Sequence, residues 1–316
     1  MRLGLMLALF SAATFGTSGI FARSLLDAGW TAGSAVAVRV GLGAVLLAVP
    51  ALIALRGRWS ALRRSLGLMG LFGVLAISAA QVGYFNAVQH LPIGVALLLE
   101  YSGILLVVLW MWAVHGQRPA RLTVAGAVTA LAGLVLVLDL TGGARLDPIG
   151  VMWGLIAAVG LAGYFVLSAR VDPELPSIVL ASGGMAVGAV LLFGLGAAGL
   201  LPMRFSSAPV TLAGLQMSWL VPILGLAVVA AAVAYATGIG AARLLGASLS
   251  SFVGLTEVLF AVLFAWLFLD ELPTVLQLVG GVLIVGGIVF VRLGMDRTVD
   301  RSAERKADLP PVEAAA

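Results

Sequence analysis

The sequence predicts an all-α integral membrane protein with ten transmembrane helices. Three observations support this fold class: apolar residues make up 62% of the chain, charged residues only 10%, and the apolar residues form runs of about 20, the length that crosses a bilayer. A soluble domain has roughly 25% charged residues, so this composition excludes a soluble fold. Strands are not predicted, because the runs are continuous and lack the alternation of a membrane barrel.

The predicted spans follow one another with short connections. The first follows Arg2 and resembles a signal peptide, but no cleavage site with a polar mature domain follows it, so we interpret it as a span. Spans three and four are separated by a turn that contains Pro92, a residue that favours the start of a helix. Residues 296–316 are charged and then rich in Pro and Ala, and are predicted to form a disordered cytoplasmic tail. The predicted spans are 3–22, 31–55, 66–89, 91–113, 121–140, 148–168, 176–200, 219–242, 246–269 and 273–293.

The Arg and Lys residues predict the orientation of these spans. Fourteen lie in connections on one side or in the tail, whereas only Arg23, Arg145 and Arg204 lie on the other side. The positive-inside rule then places both termini in the cytoplasm. The same residues account for the basic pI of about 10.1, so a nucleic-acid partner is not predicted.

The two halves of the chain, 1–145 and 146–295, resemble each other. Gly126 and Gly133 match Gly280 and Gly287 at a constant offset of 154 residues. Chance agreement between glycine-rich helices is the alternative explanation. Because each half holds five spans, an odd number, the second half must enter the membrane inverted. Inverted repeats can exchange conformations and so expose a central site to either side.

Three ionisable side chains lie deep in the predicted spans: Arg39, Glu100 and Glu257. Each costs at least ~2.5 kcal/mol at the bilayer centre. A carboxylate in a low-dielectric cavity can exchange a proton near neutral pH or pair with an ammonium group of a substrate. Arg39 could hold the carboxylate of a substrate. The alternative is a fixed structural ion pair between Arg39 and Glu100.

Polar residues close to these charges are weaker candidates. Gln81 and Tyr84 lie one helical turn apart and could line a cavity, although polar side chains in spans often bond to the backbone or join helices. The chain has no Cys and two His, and it shows no phosphate-binding loop, nucleophile motif or metal-ligand spacing. The sequence therefore predicts no enzyme, no cofactor and no metal site.

Several motifs resemble those of the EamA-like branch of the drug/metabolite transporter superfamily. They are Phe15-Gly16, Arg39, and the segment 269–273 that leads into Gly280 and Gly287. The resemblance covers about residues 3–293. The segment 92–103 is similar to the span-four motif of homoserine/threonine-type amino-acid exporters and departs from it at Ser102 and Ile104.

The resemblance implies a bacterial-type inner-membrane exporter that binds a small molecule between its halves and is driven by an ion gradient. The expected function is proton-coupled export of amino acids or related metabolites by alternating access. Glu100 and Glu257 would couple the protons, and a homodimer is compatible but not required. The alternatives are efflux of cationic hydrophobic drugs and uncoupled metabolite exchange. The candidate substrate-binding residues are Arg39, Gln81, Tyr84, Glu100, Tyr101, Tyr235 and Glu257.

Overall fold

The computed structural model describes residues 1–116, 118–140, 147–269 and 271–307. Nine helices in these ranges are long and apolar enough to cross a membrane. The fifth predicted span is a shorter apolar helix of 17 residues, about 26 Å long at 1.5 Å per residue. The ten helices are α1 Arg2–Asp27, α2 Ala32–Ala54, α3 Trp59–His90, α4 Ile93–His115, α5 Arg121–Val137, α6 Pro148–Ala169, α7 Ser177–Ala197, α8 Leu220–Leu245, α9 Ala247–Phe268 and α10 Val275–Ala307.

Two features differ from the sequence-based expectations. A β-hairpin, β1 Val210–Leu212 with β2 Leu215–Met217, lies between α7 and α8, although no strand was predicted. The prediction was wrong there because a short strand outside the apolar spans leaves no long alternating pattern. Helix α10 continues to Ala307, into the segment predicted as a disordered tail, because that stretch is rich in helix-forming Arg, Glu and Ala. Gln117, Arg145, Asp270 and residues 308–316 lie outside the described residues.

The connections gather at two opposite ends of the bundle, which we call the hairpin face and the basic face. At the hairpin face, Trp30 packs against Trp219 with ring centroids 5.7 Å apart, and its indole nitrogen donates to the carbonyl of Ser206. At the basic face, Arg64 pairs with Asp172, so the start of α3 meets the connection between α6 and α7. Residues 55–58, Gly116, 118–120 and the turn at Gly246 also lie at the basic face.

Helices α5 and α10 form the closest helix pair, and glycines make their contact possible. A Cβ atom at Gly126 would lie 2.6 Å from the carbonyl oxygen of Gly287, and one at Gly133 would lie 2.5 Å from that of Gly280. The reciprocal pairing shows that the two helices are antiparallel. Because 126 corresponds to 280 and 133 to 287, the contact is also related by a pseudo-twofold axis across the pair.

The same pseudo-symmetry recurs in the packing of α1 against α8 and of α6 against α3. A Cβ at Gly4 would touch Leu245, and one at the matching Gly150 would touch Leu91, 154 residues before Leu245. A π-helical turn interrupts α3 at Gly73–Ala79 and α8 at Val228–Val233. The two halves therefore share close contacts and helix irregularities, features that an alignment of apolar residues does not produce by chance.

Candidate functional site

The three deep charges come from three helices of the bundle. Arg39 lies on α2, Glu100 on α4 and Glu257 on α9. Each carboxylate lies two residues from a one-residue interruption of its helix, at Ser102 in α4 and at Leu255 in α9.

Arg39 interacts electrostatically with both Glu100 and Glu257, and the two carboxylates interact with each other. Among the described residues, the Arg39 guanidinium has no carboxylate oxygen within ion-pair distance. Its side chain is only 9% exposed, and its Nε atom has no hydrogen-bond partner there. The structure therefore contradicts a fixed Arg39–Glu100 ion pair and leaves a buried donor available in the site.

The charge balance of the site is uneven, with one guanidinium facing two carboxyl groups. Glu100 and Glu257 are only partly buried, although they lie deep among the helices. An uncompensated charge in such a place is costly. One proton, or one cationic group on a ligand, balances the charge of Arg39, Glu100 and Glu257 together.

Tyrosines surround the charged groups. The Tyr101 hydroxyl lies within hydrogen-bonding reach of the Glu257 carboxylate, so it connects α4 to α9. Tyr84 interacts with Glu100 from α3, and Tyr235 interacts with Arg39 and both carboxylates from α8. Of the predicted site residues, only Gln81 has no side-chain hydrogen bond or charge interaction among the described residues; it lies partly buried on α3, one turn from Tyr84.

Sequence reasoning missed Tyr164 on α6. Its ring lies 5.7 Å from that of Tyr235 and 6.5 Å from that of Phe15, with both pairs edge-to-face, and it interacts with Glu257. The chain has four tyrosines, and each interacts with at least one of the two carboxyl groups. A simple count of tyrosines within predicted spans would have found the fourth, which the comparison of repeats passed over.

A network of charged side chains lies at the basic face. Arg64 bonds to Asp172 at 2.9 Å and to Glu174 at 2.6 Å. The backbone N–H of Glu174 also donates to Asp172, and together with Arg64 it lowers the pKa of that carboxyl group. Arg170 bonds to His115 at 2.9 Å. These contacts tie the connection between α6 and α7 to α3 and α4.

Among the described residues, fewer charged side-chain pairs lie at the hairpin face than at the basic face. Arg23 forms an exposed ion pair with Glu271. Asp147 caps α6 by accepting from the backbone N–H of Ile149, which lowers the pKa of its carboxyl group, and it lies 3.4 Å from His90. Exposed pairs of this kind contribute little to stability.

Comparisons with known proteins agree with this architecture. The sequence profile of the EamA-like transporter family matches the chain twice, over residues 2–139 and 148–293. The chain is 31% identical over 177 residues to the "Uncharacterized transporter YdfC" of Bacillus subtilis (strain 168), an alignment that covers 54% of this chain. This chain spans about half the length of that relative, 53%.

A solved structure described only as "Crystal structure of protein" has the same fold. It superposes with a TM-score of 0.76, at 22% identity, over 93% of this chain and 98% of its own. At this identity the likeness shows the fold alone. The matches indicate a membrane transporter with multiple apolar helices and indicate no enzyme family.

Proposed function

Since the chain belongs to the EamA-like transporter family, we propose that it exports amino acids or related small metabolites by proton-coupled alternating access. The observation that carries this proposal is the group of one guanidinium and two carboxyl groups, which is balanced by a single proton or a single ligand cation. A zwitterion can bind with its carboxylate at Arg39 and its ammonium at Glu100 or Glu257, and because its net charge is zero, the charge of the group is balanced when the other carboxyl group carries a proton. Proton and ammonium then compete for the same carboxyl groups, which is the basis of exchange.

Ten spans in two inverted repeats of five are part of the proposal. The reciprocal glycine contacts of α5 and α10 support it, because an axis that exchanges two antiparallel helices runs across them and therefore lies in the membrane plane. Helix α5 is a few ångströms shorter than the ~30 Å hydrocarbon core, which local thinning of the bilayer accommodates. Repeats of this kind give one chain a complete pathway, so a homodimer is not required for transport.

The orientation follows from the arginines of the basic face. We place this face and both termini in the cytoplasm of a bacterial-type inner membrane, because connections rich in Arg remain on that side. A bacterial relative named as a transporter supports this location. Export then requires the site to receive its substrate from the basic face.

A second candidate is efflux of cationic hydrophobic compounds. The aromatic rings of Phe15, Tyr164 and Tyr235 near Glu257 favour it, since aromatic faces attract cations. The buried Arg39 beside the same carboxylate disfavours it, because like charges repel. The two candidates differ in whether the ligand carries an anionic group.

The test is proton movement in vesicles that contain the purified protein and a pH-sensitive dye. We expect amino acids to trigger proton flux, and we expect Glu257→Gln and Glu100→Gln each to remove it while the proteins still insert. Glu271→Gln is the control, because this acid is exposed and lies outside the site. Flux at the wild-type rate in either site variant would overturn proton coupling. Flux with organic cations but not with zwitterions would favour the second candidate.

A further inference from the structure

Two buried hydroxyl groups, those of Tyr164 and Ser168, lie on α6. Tyr164 is 7% exposed and Ser168 is fully buried. The Ser168 hydroxyl makes no hydrogen bond to any described residue, and the Tyr164 hydroxyl makes none of regular geometry but lies close to the Ser11 hydroxyl. The two residues are one helical turn apart, so they lie on the same face of α6. An unpaired buried polar group is unfavourable, so the Ser168 hydroxyl destabilises this conformation.

Neighbouring side chains show where this face of α6 points. The Tyr164 hydroxyl lies over Gly238 of α8, where a Cβ would be 2.0 Å from it, and the Phe165 ring lies against Gly254 of α9. At 100° per residue, Ser168 lies about 40° from Tyr164 and on the Phe165 side. Ser168 therefore faces the seam where α6 meets α8 and α9, closer to the basic face than the carboxyl groups.

The seam is closed in this structure. The apolar cluster that contains Tyr164 also contains Val171, Leu175, Ile239 and Ala247, all of them buried. Val171 and Leu175 lie in the connection between α6 and α7, Ile239 lies in the last two turns of α8, and Ala247 lies at the start of α9. Together they separate the charged site from the basic face.

Arg243 at the end of α8 forms hydrogen bonds across the closed seam. Its guanidinium donates to the carbonyl of Leu175 at 2.6 Å and to that of Pro173 at 2.9 Å, with a longer bond of 3.3 Å to that of Asp172. All three acceptors belong to the connection that follows α6. One side chain therefore joins the basic ends of α6 and α8 through backbone carbonyls, which no change of acceptor side chain would remove.

We propose that the seam between α6 and α8 is the passage to the basic face, that Arg243 is its latch, and that Tyr164 and Ser168 line it when it opens. The inference rests on the proposed transport function, for which it supplies the route and two residues that contact the substrate. In the open state the two hydroxyl groups hydrogen-bond to water or to polar groups of the passing solute. The lack of a partner for the Ser168 hydroxyl in the closed state favours opening.

The chain has no cysteine, so Ser168→Cys introduces a unique thiol. The reagent is a sulfonated maleimide, which does not cross bilayers, applied to membranes whose basic face is accessible. We expect slow labelling of Ser168→Cys alone and about tenfold faster labelling when Arg243→Gln is added, because loss of the latch shifts the population towards the open seam. The control is Thr123→Cys, also buried and near the basic end of α5, but packed against α10 rather than the seam.

Equal acceleration at both thiols would mean general loosening and would overturn the proposal, as would no acceleration at Ser168→Cys. A second measurement does not depend on a thiol inside the seam. Spin labels at Pro173 and Leu244, both exposed, should show a longer or additional distance in Arg243→Gln, and an unchanged distance would count against the latch. Neither experiment needs a substrate. If the transport assay is negative but Arg243→Gln opens the seam in these experiments, the proposed substrate class is wrong and the proposed passage still stands.

Discussion

The two halves of the chain share a scaffold but differ in charge. Counterpart glycines make counterpart contacts, as Gly4 and Gly150 do, and the π-helical turns of α3 and α8 begin 155 residues apart. Arg39, in contrast, has no charged counterpart, since the matching region of α7 is 182–185, Ser-Gly-Gly-Met. The pseudo-symmetry is thus retained at the glycine contacts between helices, and it is lost at the buried charges, where we propose that the ligand binds.

The positions of the two acids show that the loss of symmetry has a steric cause. At an offset of 154, Glu257 corresponds to Gly103, where a Cβ would lie 2.3 Å from the carbonyl of Ala158 on α6. In the second half the close contact between α1 and α9 uses Gly16 of α1 instead. The glycine lies on the other helix of the pair, which leaves room for a side chain at Glu257. Each half can therefore carry one acid, but not at the same position.

The largest expected effect comes from removing the charge that only one half has. Arg39→Gln should lower the transport rate of a zwitterion about 100-fold, because the site then has two carboxyl groups and no compensating cation, and losing a buried charge partner costs 3–5 kcal/mol. Arg39→Lys should recover only part of the rate, since an ammonium group keeps the charge but not the planar set of donors. Substrate uptake into vesicles measures both.

The outcome for a cationic compound without a carboxylate separates two roles of Arg39. If Arg39 binds the anionic group of the ligand, Arg39→Gln should not slow transport of such a compound and should even aid it. Equal loss for zwitterions and cations would instead show that Arg39 maintains the structure of the site, and the proposed binding mode would be wrong.

Sequence reasoning located the apolar helices and the three deep charges because both depend on composition along the chain. It did not find the orphaned Nε atom of Arg39 or the position of Tyr164 over Gly238, because these depend on the distances between helices that are far apart in sequence. The β-hairpin was missed for a related reason: Trp30 and Trp219, which pack beside it, are 189 residues apart and give no local signal.

The next largest effect is expected at the glycine contact between α5 and α10, where two adjacent glycines provide a test position and its control. A Cβ at Gly287 would lie 2.6 Å from the carbonyl oxygen of Gly126, whereas one at Gly286 meets nothing within 4 Å. Gly287→Ala should lower the free energy of unfolding by about 1–3 kcal/mol through overpacking. Gly286→Ala should be neutral or stabilising by up to about 1 kcal/mol, since Ala favours helix.

Thermal unfolding of the two detergent-solubilised variants tests this difference. The pseudo-symmetry adds a further requirement: Gly133→Ala, in the reciprocal contact with Gly280, should match Gly287→Ala. Similar midpoints for Gly286→Ala and Gly287→Ala would show that α5 and α10 separate more easily than their close contact indicates.

The smallest expected effect tests a position where the symmetry of the scaffold breaks. Gly83 and Gly238 match in the two halves, but a Cβ at Gly83 would lie 2.6 Å from the backbone nitrogen of Ala157, whereas one at Gly238 meets the Tyr164 hydroxyl and the Ser11 Oγ atom. Gly83→Ala should therefore be destabilising in any background. Gly238→Ala should also be destabilising, but less so in a Tyr164→Phe background and less again when Ser11→Ala is added. Those substitutions remove the two oxygen atoms that a Cβ at Gly238 would meet.

Tyr164→Phe alone distinguishes a functional hydroxyl from a structural one. Removing a buried hydroxyl group that makes no hydrogen bond of regular geometry should raise the free energy of unfolding by about 1 kcal/mol. If Tyr164 lines the passage, the same variant should transport more slowly, because the open state loses a polar contact while the closed state gains stability. Thermal unfolding gives the direction of the change in stability, and substrate uptake gives the direction of the change in transport rate. Both are measured on one preparation. A less stable Tyr164→Phe variant would show that the hydroxyl group has a partner in the closed state, and the unpaired group could not then favour opening of the seam.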